Sequence, residues 1–131
     1  MKGAGILVDT YTWIEILKNS DWGNRALAII EQSSRAYISV LTLYELQYRL
    51  EELYGHDTSS IRIRTILSYS ETIPVDEEIA AFAGLIKFEQ KRKKSKIGAV
   101  DCMILATARM YNLNVLTGDP HFQGIAESIQ I

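Results

Sequence analysis

The sequence predicts an α/β protein in which helices cover both faces of a central parallel sheet, a three-layer α/β/α sandwich. Short apolar segments alternate with longer segments whose apolar residues recur at helical spacing. The connections between the apolar segments are long enough for crossover helices, which place successive strands parallel. The length of 131 residues, with two prolines and eight glycines, fits one domain without a disordered linker.

Composition narrows the protein class. The net charge of −2 argues against a chain that binds nucleic acid through its overall charge. A single cysteine, Cys102, excludes an internal disulfide and fits a reducing, cytoplasmic environment. No apolar run approaches the roughly 20 residues that a membrane helix needs, so we expect a protein without a membrane span.

The predicted strands follow from the apolar segments. Gly5–Val8 is the most apolar and is expected to be the central strand. Thr10 is a possible N-cap of the helix that follows it. Pro74 favours an edge position for the third strand, because proline cannot donate to a sheet ladder. The strands after the first are predicted at Ala36–Val40, Thr72–Val75, Asn114–Thr117 and Ser128–Ile131.

The predicted helices are identified by apolar stripes and by capping residues at their starts. Asp76 is expected to cap one of them, with two further acids complementing the helix dipole. The helix after Gly98 places Asp101 in its first turn, close to the positive end of the backbone dipole. The helix starts are predicted at Ser20 or Asp21, at Thr42, near Ile61, at Asp76 and at Gly98.

Four carboxylates lie near the ends of the predicted strands. Asp9 and Asp119 follow strands directly, Glu45 lies on the helix after the second strand, and Asp101 starts the helix before the strand at 114–117. The carboxyl ends of parallel strands meet at one sheet edge, so these side chains can converge. Two carboxylates ~4 Å apart repel by roughly 4 kcal/mol at an effective dielectric near 20. A divalent cation would relieve that repulsion.

Two of these acids also have structural interpretations. Asp9 could serve equally well as the N-cap of the following helix. Thr42 and Glu45 fit a capping box, in which the glutamate bonds back to the amide of the cap residue. From the local sequence alone the capping box is the preferred interpretation of Glu45, although a carboxylate at this helix start also faces the sheet edge.

Oxygen ligands of this kind suit Mg²⁺ or Mn²⁺, and no Cys/His spacing resembles a zinc site. Mg²⁺ held by carboxylates prefers phosphate oxygens as its remaining ligands, so the natural reaction is phosphodiester hydrolysis. A basic run precedes Asp101. It is either a solvated helix end or a surface that holds nucleic-acid phosphates. Its candidate contacts are Lys91, Arg92, Lys93, Lys94 and Lys96.

A resemblance to the PIN domain family is carried by four segments, VDTYTWIEIL (8–17), SVLTLYEL (39–46), AVDCMILATA (99–108) and VLTGDPHF (115–122). Within the family these segments look most like VapC-type toxins, especially archaeal ones. The resemblance implies a single PIN-like nuclease domain over residues 1–131 that acts as an Mg²⁺- or Mn²⁺-dependent endoribonuclease on RNA. It also implies a homodimer and a cognate antitoxin that occludes the acidic pocket.

The resemblance implies specific site residues. The four acidic positions of the family fall on Asp9, Glu45, Asp101 and Asp119, and Thr117 is expected to support them by hydrogen bonding. Tyr11 departs from the family, which often has Ser or Asn there. We therefore expect Tyr11 to pack, with shaping the mouth of the pocket or stacking on a base as the alternatives. His121 lies near Asp119, but nothing in the sequence assigns it as a base. Tyrosines spaced along one helix either pack or cover a dimer or antitoxin surface: Tyr44, Tyr48 and Tyr54.

Two other functions compete with a nuclease. A receiver-like signalling domain also has an acidic pocket, but it requires paired acids after the first strand and a late lysine, and no lysine follows Lys96. A catalytically silent PIN-like module could bind RNA or a protein without cutting. The loss of a carboxylate would indicate such a module, and all four are retained here.

Overall fold

The structure, a computed structural model, describes residues 5–131 and confirms the α/β/α sandwich. All the strands of the described chain lie in one parallel sheet with the order β3-β2-β1-β4-β5. The strands are β1 (Ile6–Val8), β2 (Ala36–Ser39), β3 (Ser70–Ile73), β4 (Asn114–Thr117) and β5 (Ser128–Gln130).

The helices of the described chain pack on both faces of this sheet. They are α1 (Thr10–Leu17), α2 (Asp21–Gln32), α3 (Val40–Tyr54), α4 (His56–Tyr69), α5 (Glu77–Arg92) and α6 (Ala99–Met110). A short 3₁₀ turn, Pro120–Phe122, follows β4. No helix in residues 5–131 has both the length and the apolar character needed to cross a bilayer.

The central position predicted for the first strand is confirmed, because β1 pairs with both β2 and β4. Its side chains alternate between two cores. Leu7 is buried among residues of α5 and α6, whereas Ile6 and Val8 are buried among residues of α1 to α4. Both faces of the strand are therefore covered, which explains why its sequence is continuously apolar rather than alternating.

The third strand lies at the sheet edge, as Pro74 predicted, but its bounds differ from the prediction. β3 covers Ser70–Ile73 rather than 72–75, and it pairs in register with Ala36–Ser39 of β2. Pro74 falls just beyond the strand because it has no amide hydrogen to continue the ladder. The predictions that Asp76 and Gly98 precede helices are confirmed, and the Asp76 carboxylate accepts from the Ile79 amide at 2.9 Å.

The capping box predicted for Thr42 and Glu45 is wrong. Helix α3 begins at Val40, and its N-cap is Ser39, whose hydroxyl accepts from the Leu41 amide at 3.1 Å. The strand passes directly into the helix at Ser39, so the helix starts earlier than the threonine suggested. Glu45 lies in the second turn, where its carboxylate is free of the capping role and available to a ligand.

Of two other helices, α4 starts earlier than predicted, whereas α1 is capped by one of its two candidate residues. Helix α4 begins at His56, directly after Gly55, whose φ of 79° lets the chain turn sharply between α3 and α4. Helix α1 is capped by Asp9 and not by Thr10, because the Asp9 carboxylate accepts from the Thr12 amide at 2.9 Å.

Candidate active site

A cavity of about 180 Å³ lies at the carboxyl edge of the sheet, and all four predicted carboxylates line it. Asp9 reaches it from the end of β1, and Asp119 from the turn after β4. Glu45 reaches it from α3 and Asp101 from the first turn of α6. The structure thus brings together four residues that span more than 100 positions of the sequence, as the strand-end argument predicted.

Asp9 is both a helix cap and a pocket residue, so its two interpretations are compatible. One carboxylate oxygen accepts from the Thr12 amide, and the other accepts from the Thr117 hydroxyl. Burial raises the pKa of Asp9 above its ordinary value, although the hydrogen bonds from Thr117 and Thr12 oppose the shift. The side chain is therefore held in one orientation while its charge is poorly solvated.

Thr117 links the carboxylate of Asp9, after β1, to the backbone amide of Asp119, after β4. Its hydroxyl is fully buried, donates to Asp9 and accepts from the Asp119 amide at 2.9 Å. The intervening Gly118 is required sterically, because a Cβ there would lie 2.3 Å from the Tyr11 ring. The Thr-Gly-Asp sequence therefore provides three features in successive residues: a hydroxyl that orients Asp9, a glycine that lets the Tyr11 ring lie close, and a carboxylate.

Glu45 is positioned from a different element. The Thr10 hydroxyl donates to Oε1 of Glu45, which joins the first turn of α1 to α3. Sequence reasoning treated Thr10 only as a possible cap and missed this contact. The signal was present, because Thr10 directly follows Asp9 and both residues lie at the carboxyl end of β1.

Asp101 is the least satisfied of the four acids. No hydrogen bond from residues 5–131 reaches its carboxylate, although its helix start is nearby. Desolvation, followed by the negative charge of Asp119, raises the pKa of Asp101 to about 6, with smaller contributions from Asp9 and Glu45. The charge of His121 acts in the opposite direction. The four carboxylates therefore interact electrostatically, which is the condition that favours a bound cation.

The tightest cluster of candidate ligand atoms includes a residue that sequence reasoning left unassigned. One ligand atom from each of Asp101, Asp119 and His121 lies within 4.8 Å of the others. Nδ1 of His121 is 3.2 Å from Oδ1 of Asp119, whose carboxylate also accepts from the His121 amide. A set rich in carboxylate oxygens fits Mg²⁺ or Mn²⁺, and the imidazole is also acceptable to Mn²⁺.

The remaining sequence candidates lie outside the acid cluster or at its rim. Tyr11 packs against Gly118 and also lines the cavity with a side chain that is 42% exposed, so its position fits both the packing role and the shaping of the pocket mouth. Arg49 also lines the cavity and was not predicted, although its spacing of four residues from Glu45 places both on one helix face. The exposed basic run lines no part of this cavity: Lys91, Arg92, Lys93, Lys94 and Lys96.

A parallel α/β/α fold with carboxylates converging at its carboxyl edge fits a metal-dependent nuclease domain. Comparison with known families supports that class, because the PIN domain matches residues 6–128. The chain therefore belongs to the PIN domain family of nucleases. It is 30% identical over 113 residues to the tRNA(fMet)-specific endonuclease VapC of Salmonella typhimurium, covering 86% of this chain and 85% of that protein.

Solved structures agree with this assignment. The DNA-bound VapBC structure from Salmonella typhimurium has a TM-score of 0.78 and 26% identity, over 100% of this chain and 98% of that one. The promoter-DNA-bound VapBC2 structure from Rickettsia felis has a TM-score of 0.79 over 97% of both chains, and at 22% identity it supports the fold alone. These relatives are bacterial, and they lend no support to the archaeal likeness suggested by the motifs.

Proposed function

We propose that this protein is an Mg²⁺- or Mn²⁺-dependent endoribonuclease and the toxin of a VapBC-type toxin–antitoxin pair, acting as a single nuclease domain over residues 1–131. The observation that carries this proposal is the convergence of four carboxylates in one cavity at the carboxyl edge of the sheet. The similarity to the VapC endonuclease, over most of both chains, supports the choice of RNA as substrate.

In this proposal Asp9, Glu45, Asp101 and Asp119 hold the ion, and His121 lies close enough to join them. The bound ion supplies activation of water and stabilisation of the leaving oxygen. Thr12 and Thr117 orient the Asp9 carboxylate before the ion binds. Hydrogen bonds of this kind to metal ligands generally orient the ligands and raise metal affinity.

An apolar groove between α1, α2 and α4 supports a protein partner. Side chains of α1, α2 and α4 line a cavity of about 310 Å³, among them Trp13, Leu17, Ile30 and Tyr69. Tyr69 is 74% exposed and adjoins this groove, and a contiguous exposed apolar surface marks a site of interaction. We assign this groove to the antitoxin as a second contact besides the acidic pocket that it is expected to occlude, because the similar VapBC structure supports an antitoxin partner.

A homodimer is also part of the proposal. Large apolar side chains are exposed on α3 and α5, and their burial against a second copy would remove them from water. The most exposed are Tyr44, Tyr48, Leu85 and Phe88.

The direct test is cleavage of single-stranded RNA by the purified protein in the presence of Mn²⁺. We expect fragments with Mn²⁺ and none after addition of EDTA, with activity restored by excess Mn²⁺. RNA that is bound but never cut would instead identify the catalytically silent PIN-like module. Membership of the PIN domain family removes the receiver-like alternative.

A further inference from the structure

Arg49 is the basic side chain of the acidic cavity. Among the residues that line it, Arg49 alone carries a positive charge, opposite four carboxylates. Its guanidinium makes no hydrogen bond or ion pair of ordinary length with any residue in 5–131, not even with Glu45, whose carboxylate accepts from Thr10 instead. The cation therefore faces the cavity without neutralising a particular acid.

The position of Arg49 follows from helix geometry. Thr42, Glu45 and Arg49 are spaced at three and four residues on α3, so they form one stripe along the cavity wall. Thr42 is buried, whereas Glu45 and Arg49 are exposed. The stripe thus runs from the floor of the cavity to its rim, and Arg49 lies at the outer end, where a long substrate would leave the site.

Most other arginines of the described chain are already engaged. Arg35 and Arg109 pair with glutamates at 2.9 and 3.2 Å. In three others the guanidinium carbon lies 4.1 to 5.8 Å from the centroid of an aromatic ring: Arg25, Arg62 and Arg92. Only Arg49 and the exposed Arg64 of α4 have no such partner within residues 5–131, and Arg64 lies outside the acidic cavity.

We propose that Arg49 binds a backbone phosphate of the RNA substrate next to the phosphodiester that is cut, an inference that rests on the proposed nuclease function. The planar guanidinium can donate two parallel hydrogen bonds to the two free oxygens of a phosphate. One contact at the rim then fixes how the strand crosses the acids. Arg49 is accordingly a substrate-binding residue and not a metal ligand.

The charge of the cavity favours a nucleic-acid phosphate over an acidic side chain of a protein. Either group would satisfy the guanidinium, but four carboxylates in the same cavity repel an approaching anion. A nucleic acid overcomes that repulsion because its neighbouring phosphate is drawn to the bound cation. An acidic protein segment is not the substrate of the reaction, so it offers no neighbouring phosphate for the bound cation to attract.

The test compares Arg49→Ala and Arg49→Lys with Arg64→Ala, a matched loss of an exposed and unpartnered arginine. Binding of a fluorescent single-stranded RNA is measured by anisotropy with Ca²⁺ in place of Mn²⁺, over a range of salt concentrations. We expect Arg49→Ala to weaken binding about tenfold. We also expect its slope of log affinity against log salt to become shallower by about 0.7, the value for one lost phosphate contact on a single strand.

The lysine variant separates charge from geometry. Arg49→Lys is expected to keep the salt slope, because the charge remains, while losing affinity through the lost bidentate contact. Arg64→Ala should match wild type in both quantities. Equal affinity and equal slope for Arg49→Ala and Arg64→Ala would overturn the inference, as would an Arg49→Ala variant that binds RNA normally but loses antitoxin. Because binding is measured apart from cleavage, a wild-type protein that fails to cut RNA would refute the proposed function and leave this comparison decisive.

Discussion

The two sides of the acidic cavity are built in opposite ways. On the sheet side, Asp9 is held by the Thr12 amide and the Thr117 hydroxyl, and Thr117 also binds the Asp119 amide. On the α6 side, Asp101 has no such donor within residues 5–131, and its pKa is raised to about 6. The sheet side is therefore preorganised by the protein, whereas the α6 side carries a charge that the protein leaves uncompensated.

This difference indicates how the site would use a cation. Hydrogen bonds to Asp9 orient it without a metal, so its geometry costs little to form on binding. The charge of Asp101 is stabilised only when a cation binds, so this side contributes most of the electrostatic free energy of cation binding. The preorganised carboxylate and the uncompensated charge thus lie on different elements. Variants can therefore test the two contributions separately.

The largest effect is expected for Asp101→Asn, which removes the uncompensated charge. We expect RNA cleavage to fall at least about 100-fold, because a metal ligand is lost. The metal-free fold should be as stable as wild type or more stable, because repulsion with Asp119 is relieved. Single-turnover cleavage with Mn²⁺ and thermal unfolding in EDTA would measure the two effects.

The matched control for that variant is Asp57→Asn. Asp57 is also an acid in the first turn of its helix, but it lies on α4 and away from the cavity. Its removal should leave cleavage unchanged. An Asp101→Asn protein that cuts RNA at the wild-type rate would show that the α6 side takes no part in the reaction.

A smaller effect is expected for Thr117→Val, which removes the preorganisation of the sheet side at nearly constant volume. Mn²⁺ affinity should fall about tenfold, the lower end of what supporting hydrogen bonds contribute. The free energy of unfolding should drop by about 1–3 kcal/mol, because the partly buried Asp119 amide loses its acceptor and the Asp9 carboxylate loses a donor. Metal titration by calorimetry and denaturant unfolding would provide both values.

Thr107→Val is the control for the threonine variant. The Thr107 hydroxyl is equally buried, but it donates only to the Met103 carbonyl within α6, at 2.8 Å. Its loss should leave Mn²⁺ affinity unchanged. If both threonine variants bound Mn²⁺ like wild type, the orienting role of Thr117 would be refuted.

The smallest effect is a pH dependence of metal-free stability. The folded-state pKa of Asp101 is about 6, above its ordinary value of 3.8, so the folded protein binds this proton more tightly than the unfolded chain does. Between these two values, raising the pH should therefore destabilise wild type relative to Asp101→Asn, and above about 6 the difference should stay constant. Melting temperatures in EDTA from pH 4 to 7.5 would measure it.

Mn²⁺ should reverse that difference. At a concentration of about 100 times the dissociation constant, it would stabilise wild type by about 2.7 kcal/mol, or roughly 10 °C in melting temperature. The Asp101→Asn protein should gain much less. A pH-independent difference in EDTA, or an equal Mn²⁺ response in both proteins, would contradict the contrast between the two sides.

Much of the fold could be predicted from local patterns. Apolar segments with short lengths identified the strands, and the central position of β1 followed from its unbroken apolar character, since both of its faces are buried. The predicted starts of α3 and α4 were less accurate. The Thr42 capping box was wrong because Ser39, absorbed into the strand pattern, caps α3 at the point where β2 ends.

Which carboxylates could meet follows from the amino-acid sequence alone, because acids that follow parallel strands share one edge whatever the packing details. How Glu45 and Asp101 are held follows only from the packing of helices on the sheet. The rotation of α1 and α3 on the sheet pairs Thr10 with Glu45, and the start of α6 leaves Asp101 without a donor. The same packing brings His121 beside Asp101 and places Arg49 at the cavity. The Thr10–Glu45 contact joins residues distant in sequence, and no local periodicity encodes it.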